Sequence, residues 1–212
     1  MKPVTHIRTA LLTLTLGCAT IIQAATPEQL LPFQQRWAEI QYSLDQDAQA
    51  DAFDDLAAQL AEQLTAQPHD PELMIWQGIV LSSQAGAKGG LGALKLVKQA
   101  RTLFEAAIEQ DASALNGSAL TSLATLYHQV PGWPLGFGSD EKAQELFEQA
   151  LAINPDGIDS NYFYAAFLLE KGDNTRAKAL LDKALAAPAR PGRQRADAGR
   201  REEIHTLLQQ LK

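Results

Sequence analysis

The sequence predicts an all-α protein, built as a helical solenoid of antiparallel helix pairs with a C-terminal capping helix. Three observations lead to this prediction. Ala, Leu, Gln and Glu dominate the 212 residues, and all four are good helix formers. Apolar residues recur at helical spacing, whereas the long alternations of Val, Ile and Thr that indicate strands are absent. A pattern of small and bulky residues also recurs along the chain, which is typical of stacked structural repeats.

Residues 1–24 have the composition of a secretory signal peptide. A weakly basic start precedes an apolar run from Ala10 to Ile22, and Ala24 supplies a small residue at the expected cleavage position. The apolar run is too short for an ordinary transmembrane helix. We therefore expect an exported, periplasmic protein. The alternative is a lipoprotein anchored through Cys18, although Thr15 stands where a lipid-attachment site prefers Leu.

Removal of this segment leaves an acidic chain. It takes away two basic residues and no acidic ones, so 16 Lys and Arg remain against 25 Asp and Glu, a net charge of −9. Such a charge disfavours binding to nucleic acids and to anionic membranes, because phosphates must be neutralised by Lys and Arg. If Cys18 leaves with the signal peptide, the mature chain has no cysteine and cannot form a disulfide.

Residues 25–68 are predicted to form an N-terminal helix pair, either a degenerate repeat or a cap. The segment Thr26-Pro27-Glu28-Gln29 is typical of a helix start, but Pro32 lies deep enough to move the expected start toward Leu31. A second helix is predicted from about Ala48 to Ala66. Its apolar stripe consists of Phe53, Leu56, Leu60 and Leu64.

Residues 69–190 are predicted to contain three repeats. In the second helix of each repeat, a small residue is followed four positions later by a bulky one and three later by Ala. Small residues let paired helices cross closely, and bulky residues fill the gaps between neighbouring repeats. The three sets are Ala100, Phe104 and Ala107; Ala143, Phe147 and Ala150; and Ala177, Leu181 and Ala184.

This spacing resembles the tetratricopeptide repeat, a helix–turn–helix unit of about 34 residues. Ala143 and Ala177 stand 34 positions apart, which is the period of that family. The resemblance covers about residues 70–190. It implies a solenoid that acts by binding a partner. A generic antiparallel helical bundle is the alternative.

Two repeats are longer than the family period, and both insertions lie between the two helices of their repeat. They are predicted as loops over residues 82–92 and 130–139. Because they occupy equivalent positions in adjacent repeats, they should project from one edge of the solenoid and form one binding surface. Both aromatic side chains of the second loop could instead pack on the solenoid. The candidate contact residues are Gly89, Gly90, Trp133 and Phe137.

Two further groups are candidates for contact with a partner or ligand. Tyr162 and Tyr164 belong to an aromatic cluster in the third repeat, where core packing is the alternative. Arg193 and Arg195 belong to an Arg-rich segment that could dock an acidic partner or an anionic ligand, or form internal ion pairs. Residues 191–212 are predicted as this linker and the capping helix. The apolar face of that helix consists of Ile204, Leu207, Leu208 and Leu211.

The sequence contains no arrangement that points to catalysis, a metal or a cofactor. The histidines are scattered without helical metal-site spacing, and no GxSxG or Walker motif is present. Asp156 and Asp159 lack the further acidic ligands of a calcium loop. We therefore predict that the protein is not an enzyme and needs no cofactor.

A narrower resemblance lies in the Gly- and Trp-rich stretch from Pro131 to Asp140, followed by a helix from Lys142 to Leu151. It is similar to the T component of tetratricopeptide-associated TRAP transporters. The resemblance implies a periplasmic accessory of a substrate-binding subunit, with apolar or organic-acid ligands.

Two other functions stay open, a carrier that binds such a ligand itself and an envelope-assembly scaffold. A deep pocket beneath the two loops would favour the carrier, and an open, polar groove the scaffold. The sequence is compatible with an oligomer and indicates no membrane span in the mature chain.

Overall fold

The computed structural model describes residues 27–211. In this range the chain forms nine α-helices and one short 3-10 helix, Ala114–Asn116, and no strand. None of these helices combines the length and apolarity needed to cross a bilayer. The α-helices are α1 Pro27–Ser43, α2 Gln46–Ala66, α3 Pro71–Lys88, α4 Gly90–Asp111, α5 Ser118–Gln129, α6 Asp140–Ile153, α7 Ile158–Glu170, α8 Asn174–Ala186 and α9 Gln194–Gln210.

The helices pack as consecutive pairs, which confirms the predicted all-α solenoid. The pairs are α1 with α2, α3 with α4, α5 with α6, and α7 with α8, and each pair also contacts the next one along the chain. The predicted signal peptide and Cys18 lie outside the described residues.

The small and bulky residues of the repeat pattern form the core, as predicted. All nine residues of the three sets are at most 1% exposed. Gly78 shows why small residues are needed at the crossings, since an added Cβ would lie 2.6 Å from Cε1 of Phe104. The size limit at this position is therefore set by the close approach of α3 and α4.

The first helix differs from its prediction at one point. α1 is continuous from Pro27, with Pro32 inside it, so the expected shift of its start toward Leu31 is wrong. Pro32 lies early in the helix, where its missing N–H removes a single backbone hydrogen bond. Thr26, the predicted cap, lies outside the described residues.

The segment 82–92 is not the predicted loop. α3 continues to Lys88 and α4 begins at Gly90, so Gly89 alone connects the two helices, with a φ of +61°. Residues 82–88 of α3 include two buried residues, Gln84 and Ala85, and Nε2 of Gln84 donates to Oδ1 of Asp54 on α2 at 2.6 Å. These contacts give the segment a packing reason to stay helical. The extra residues thus lengthen two helices instead of forming a loop. The second predicted loop, 130–139, is a loop in the structure, between α5 and α6.

The last helix contacts more of the fold than the sequence predicted. α9 begins at Gln194, so the Arg-rich segment forms its first turns, and Ile204 is fully buried as expected for a cap. α9 lies against α7 and α8, and also against α1. Gly192 faces Leu31 and Gly199 faces the ring of Tyr42, with no space for a larger side chain at either glycine. The C-terminal helix therefore joins the two ends of the array.

Candidate functional site

The inner face of the array encloses a groove of about 1030 Å³. Residues of α1, α3, α5, α7 and α9 line it, together with the first turns of α2 and α4. Its volume is at the upper end of the range that is usual for sites of small ligands. The groove exists because α9 closes one side of the inner surface, which would be open in a solenoid without this helix.

One wall of the groove is aromatic. The rings of Trp37 and Trp76 meet edge to face with centroids 6.2 Å apart, and Tyr42 meets Trp37 in the same way at 5.9 Å. Nε1 of Trp37 donates to Oγ of Ser83 across 2.8 Å, which fixes the indole against α3. These rings give the groove a rigid apolar surface.

The lining also carries hydroxyl and amide groups. The hydroxyls of Ser82, Ser83 and Thr125 each donate to a backbone carbonyl of their own helix, which leaves oxygen lone pairs able to accept. The groove therefore offers hydrogen-bonding groups beside the aromatic wall. Its other polar lining residues include Gln41, Gln46, Thr121, Ser122 and Gln129.

A network of ion pairs attaches α9 to α7 at one end of the groove. Asp159 accepts from Nη1 of Arg190 at 2.6 Å and from Nε of Arg200 at 2.8 Å. Arg190 also pairs with Asp197 at 2.7 Å, and Arg200 pairs with Glu203. Burial opposes the charge of Asp159, but the attraction of Arg200 and Arg190 outweighs it and lowers the pKa of this carboxyl below its usual value. The network is therefore charged and structural.

Arg193 lies beside this network without an ion pair among the described residues. Its guanidinium carbon is 5.1 Å from the centre of the Trp76 ring, and its Nε is buried with no hydrogen-bond partner. Burial, followed by repulsion from Arg190, lowers the pKa of the Arg193 guanidinium to about 10. Arg193 is thus a cation in the groove whose charge is not matched by direct contact.

The predicted contact residues of the second loop separate into two groups. Trp133 is 90% exposed, and Leu135, which was not predicted, is 72% exposed and lines the rim of the groove. Phe137 instead packs back on the fold, edge to face with Tyr127 at 5.5 Å and beneath Arg101. Phe137 therefore packs on the solenoid, which was the alternative to a binding role for this residue. Trp133, by contrast, is exposed and accessible to a partner.

The remaining predicted residues lie in the groove, at the exposed surface or in the core. Gly90, Tyr162 and Arg193 line the groove, while Gly89 and Arg195 do not belong to its lining. Tyr164 is 1% exposed, and its ring stacks on that of Phe147 with centroids 5.3 Å apart. It is therefore a core residue, which was the alternative to ligand contact.

Sequence reasoning missed several residues of the groove. Trp37 lies in the predicted N-terminal helix pair, but the α1–α9 contact that makes it part of a groove has no local signal. The spacing of Asp197 seven residues after Arg190 could have suggested an ion pair across the start of α9. Within residues 27–211, no group of three or more His, Cys, Asp and Glu side chains is arranged to hold a metal ion.

Comparison with known proteins supports the repeat assignment for the C-terminal part of the chain. Residues 141–211 match a tetratricopeptide repeat model, and this range begins in α6 and extends to the end of α9. Comparison with curated proteins gives no match for this chain.

Proposed function

We propose that this protein is an exported interaction module of the tetratricopeptide type, which docks a partner protein through the exposed part of its 130–139 loop. The observation that carries this proposal is the exposure of Trp133 and Leu135, at 90% and 72%. Large apolar side chains at a binding surface supply much of the binding energy. Leu135 also lines the groove, so a docked partner would lie at its entrance.

The loop is held in one shape, which favours recognition. Gly138 N donates to Pro131 O at 3.0 Å, and Ser139 N donates to Tyr127 O at 2.8 Å. An added Cβ at Gly138 would lie 1.9 Å from the carbonyl oxygen of Val130, so the close approach of the two loop ends requires glycine. A loop that is already ordered loses little conformational entropy on binding.

The proposal also includes where the protein acts, in the periplasm, and its role there. The signal-peptide pattern of residues 1–24 and the resemblance to the T component of TRAP transporters support a periplasmic accessory of solute transport. Intact-mass measurement of the secreted protein tests the export step. A mature chain that begins at Ala25 supports it, and a lipid-bearing chain that begins at Cys18 contradicts it.

Photo-crosslinking tests the docking surface. A photo-reactive amino acid replaces Trp133 in one variant and the exposed Glu62 of α2, which is outside the groove lining, in a matched control. Irradiation of intact cells should give a discrete adduct from position 133 and none from position 62. Equal labelling from both positions, or none from 133, would contradict the proposed surface.

A second function, a carrier of a small ligand, is favoured by the groove itself. Its volume of about 1030 Å³ and its mixed aromatic and polar lining are those of a ligand site. Native mass spectrometry of the purified protein should reveal a bound small molecule. Replacement of Ser122 by Trp, which fills part of the groove, should abolish that species. A ligand retained by Ser122→Trp would mean that it binds elsewhere.

A further inference from the structure

A row of cations on α4 lies beside the exposed part of the 130–139 loop. Lys95, Lys98 and Arg101 follow one another at intervals of three residues, so each lies about one helical turn from the next. Lys95 and Lys98 are exposed and form no ion pair among the described residues, whereas Arg101 pairs with Glu105 at 2.7 Å. Two lysines of this row are therefore available to a partner.

The lysines and the loop border one continuous depression. A cavity of about 340 Å³ lies between α4 and the loop, with Lys98 and Arg101 on one side and Leu135 on the other. A second depression of about 540 Å³ continues along α4 past Lys95 and shares Lys98 with the first. We call the two together the α4 trough, which is lined by residues between 94 and 105 and by residues 134–137.

The positive charge at the trough is a local feature of an acidic chain. The net charge is −7, yet no Asp or Glu stands between Glu72 and Glu105, and none stands between Asp111 and Asp140. The second of these segments contains α5 and the whole loop. Lys142, just after the loop, is a third exposed lysine without an ion pair among the described residues. Acids of α5 and of the loop therefore do not neutralise the lysines.

The shape of the site favours a protein segment over a bilayer. Exposed tryptophan beside lysine also suits an anionic membrane surface. The α4 trough is concave, however, and a side chain of a partner can enter it, whereas a bilayer surface offers no such group. An anionic bilayer would also be repelled by the net charge of −7. A partner that fits has carboxylates for the lysines and apolar side chains for Trp133 and Leu135.

We infer that the α4 trough docks an acidic segment of another protein, whose Asp or Glu side chains pair with Lys95 and Lys98 while its apolar side chains contact Trp133 and Leu135. This inference rests on the docking function proposed above. It assigns the chemistry of the partner and adds α4 to the docking surface. Lys95 and Lys98 do not line the groove of the inner face, so they bear on docking and not on the carrier function.

Charge variants combined with photo-crosslinking from position 133 test the role of the lysines. Lys98→Glu should lower the yield of the protein adduct about tenfold, because a like charge then faces the acids of the partner. Lys98→Gln should lower it less, by about threefold, since it removes attraction without adding repulsion. Lys95→Glu should act in the same direction as Lys98→Glu.

A matched control separates this local effect from net charge and from folding. Arg195→Glu changes the net charge by the same amount at an exposed arginine of α9 that lines neither the α4 trough nor the groove, and it should leave the yield unchanged. The melting temperature of Lys98→Glu should equal that of the natural chain, because Lys98 is exposed and unpaired among the described residues.

Mass spectrometry of the adduct tests the chemistry of the partner directly. Residues 94–105 of α4 extend over about 17 Å, which an extended chain spans with about five residues. Within about five residues on either side of the crosslinked position, the partner should therefore contain more Asp and Glu than Lys and Arg.

Each contrary result overturns the inference. A partner segment that is neutral or basic, a yield that Lys98→Glu does not change, or equal losses in Lys98→Glu and Arg195→Glu would exclude an acidic partner and leave docking through Trp133 standing. A lipid adduct would assign the loop to a bilayer and overturn both proposals. Absence of any adduct from position 133 would contradict the docking function and, with it, this inference.

Discussion

Arg200 on α9 donates from Nε to Oδ1 of Asp159 on α7 across 2.8 Å, and this contact joins the last helix to the last repeat. The side chain of Arg200 is only 8% exposed, whereas that of Asp159, which faces the groove, is 35% exposed. Asp159 also accepts from Arg190, so a single carboxylate contacts two arginines. Three of the predictions below concern the attachment of α9.

Replacement of Asp159 by Asn should lower the free energy of unfolding by about 1–3 kcal/mol. Breaking a fully buried pair costs about 3–5 kcal/mol, and the partial exposure of Asp159 reduces that figure. Chemical denaturation at pH 7 measures the change. Asp156→Asn is the control, because its pair with Lys183 lies at the surface and the expected change is within about 0.5 kcal/mol. Equal effects of the two substitutions would contradict the structural role of Asp159.

The same carboxylate should make stability depend on acid. Because Arg200 and Arg190 lower its pKa in the folded state, Asp159 stabilises the fold above its unfolded pKa of about 4. This contribution should be lost as the pH falls from about 4 toward the lower folded value. The difference in melting temperature between the natural chain and Asp159→Asn should therefore become smaller as the pH is lowered from 7 to 2.5. A constant difference over that range would mean that Asp159 is not the titrating group.

Gly78→Ala should destabilise the protein although alanine favours helices. The gain in helix propensity is about 1 kcal/mol, whereas the added Cβ lies 2.6 Å from the buried ring of Phe104 and should cost about 1–3 kcal/mol or more. Gly86→Ala in the same helix is the control, because nothing lies within 4 Å of its added Cβ. Gly86→Ala should be neutral or stabilising. Thermal denaturation of both variants distinguishes steric crowding from helix propensity, and parallel changes would contradict the close crossing.

The two aromatic residues of the loop should behave differently when each is replaced by Ala. Trp133→Ala should leave the melting temperature unchanged, because the side chain is almost fully exposed. Phe137→Ala should lower the free energy of unfolding by about 1–3 kcal/mol, since its ring packs on Tyr127. Thermal denaturation measures both changes, and partner binding should fall mainly in Trp133→Ala. A loss of stability in Trp133→Ala would place that side chain in the core instead.

A chain that ends at Gly199 should be less stable and should aggregate. The truncation removes Ile204, which is fully buried, and uncovers the apolar surface of the last repeat. Thermal denaturation and size-exclusion chromatography measure these effects. A chain that ends at Leu211 keeps the whole apolar face of α9, so it is the control and should resemble the full-length protein. A stable, monomeric truncation at Gly199 would show that α9 is not a cap.

The sequence was most informative where a structural requirement repeats. Ala107, Ala150 and Ala184 were predicted to be buried at helix crossings and are buried, because each repeat imposes the same size limit. The segment 82–92 was misread because its repeat is longer than the family period, and the extra residues were interpreted as a loop between the two helices. Burial of Gln84 and Ala85 provides a packing reason for helix that composition does not show.

The groove could not be predicted, since it depends on contacts between the chain's two ends. Gln35 donates to the carbonyl of Gly192 across 3.2 Å and 157 positions of sequence. A single sequence carries no local signal for such a pairing. The sequence also does not show why Arg190 forms ion pairs and Arg193 does not. That difference depends on which carboxylates lie close to each arginine after α9 has packed.

The contact between α9 and α1 has a consequence for how the molecule unfolds and how its length can vary. In a linear array, each repeat interacts only with its neighbours, so unfolding can begin at either end and spread. Here α1 and α9 cover each other, so unfolding of one terminal helix exposes and destabilises the other. This coupling favours unfolding of the whole array in a single cooperative transition. Insertion of another helix pair would carry α1 away from α9, so the number of pairs is fixed by closure.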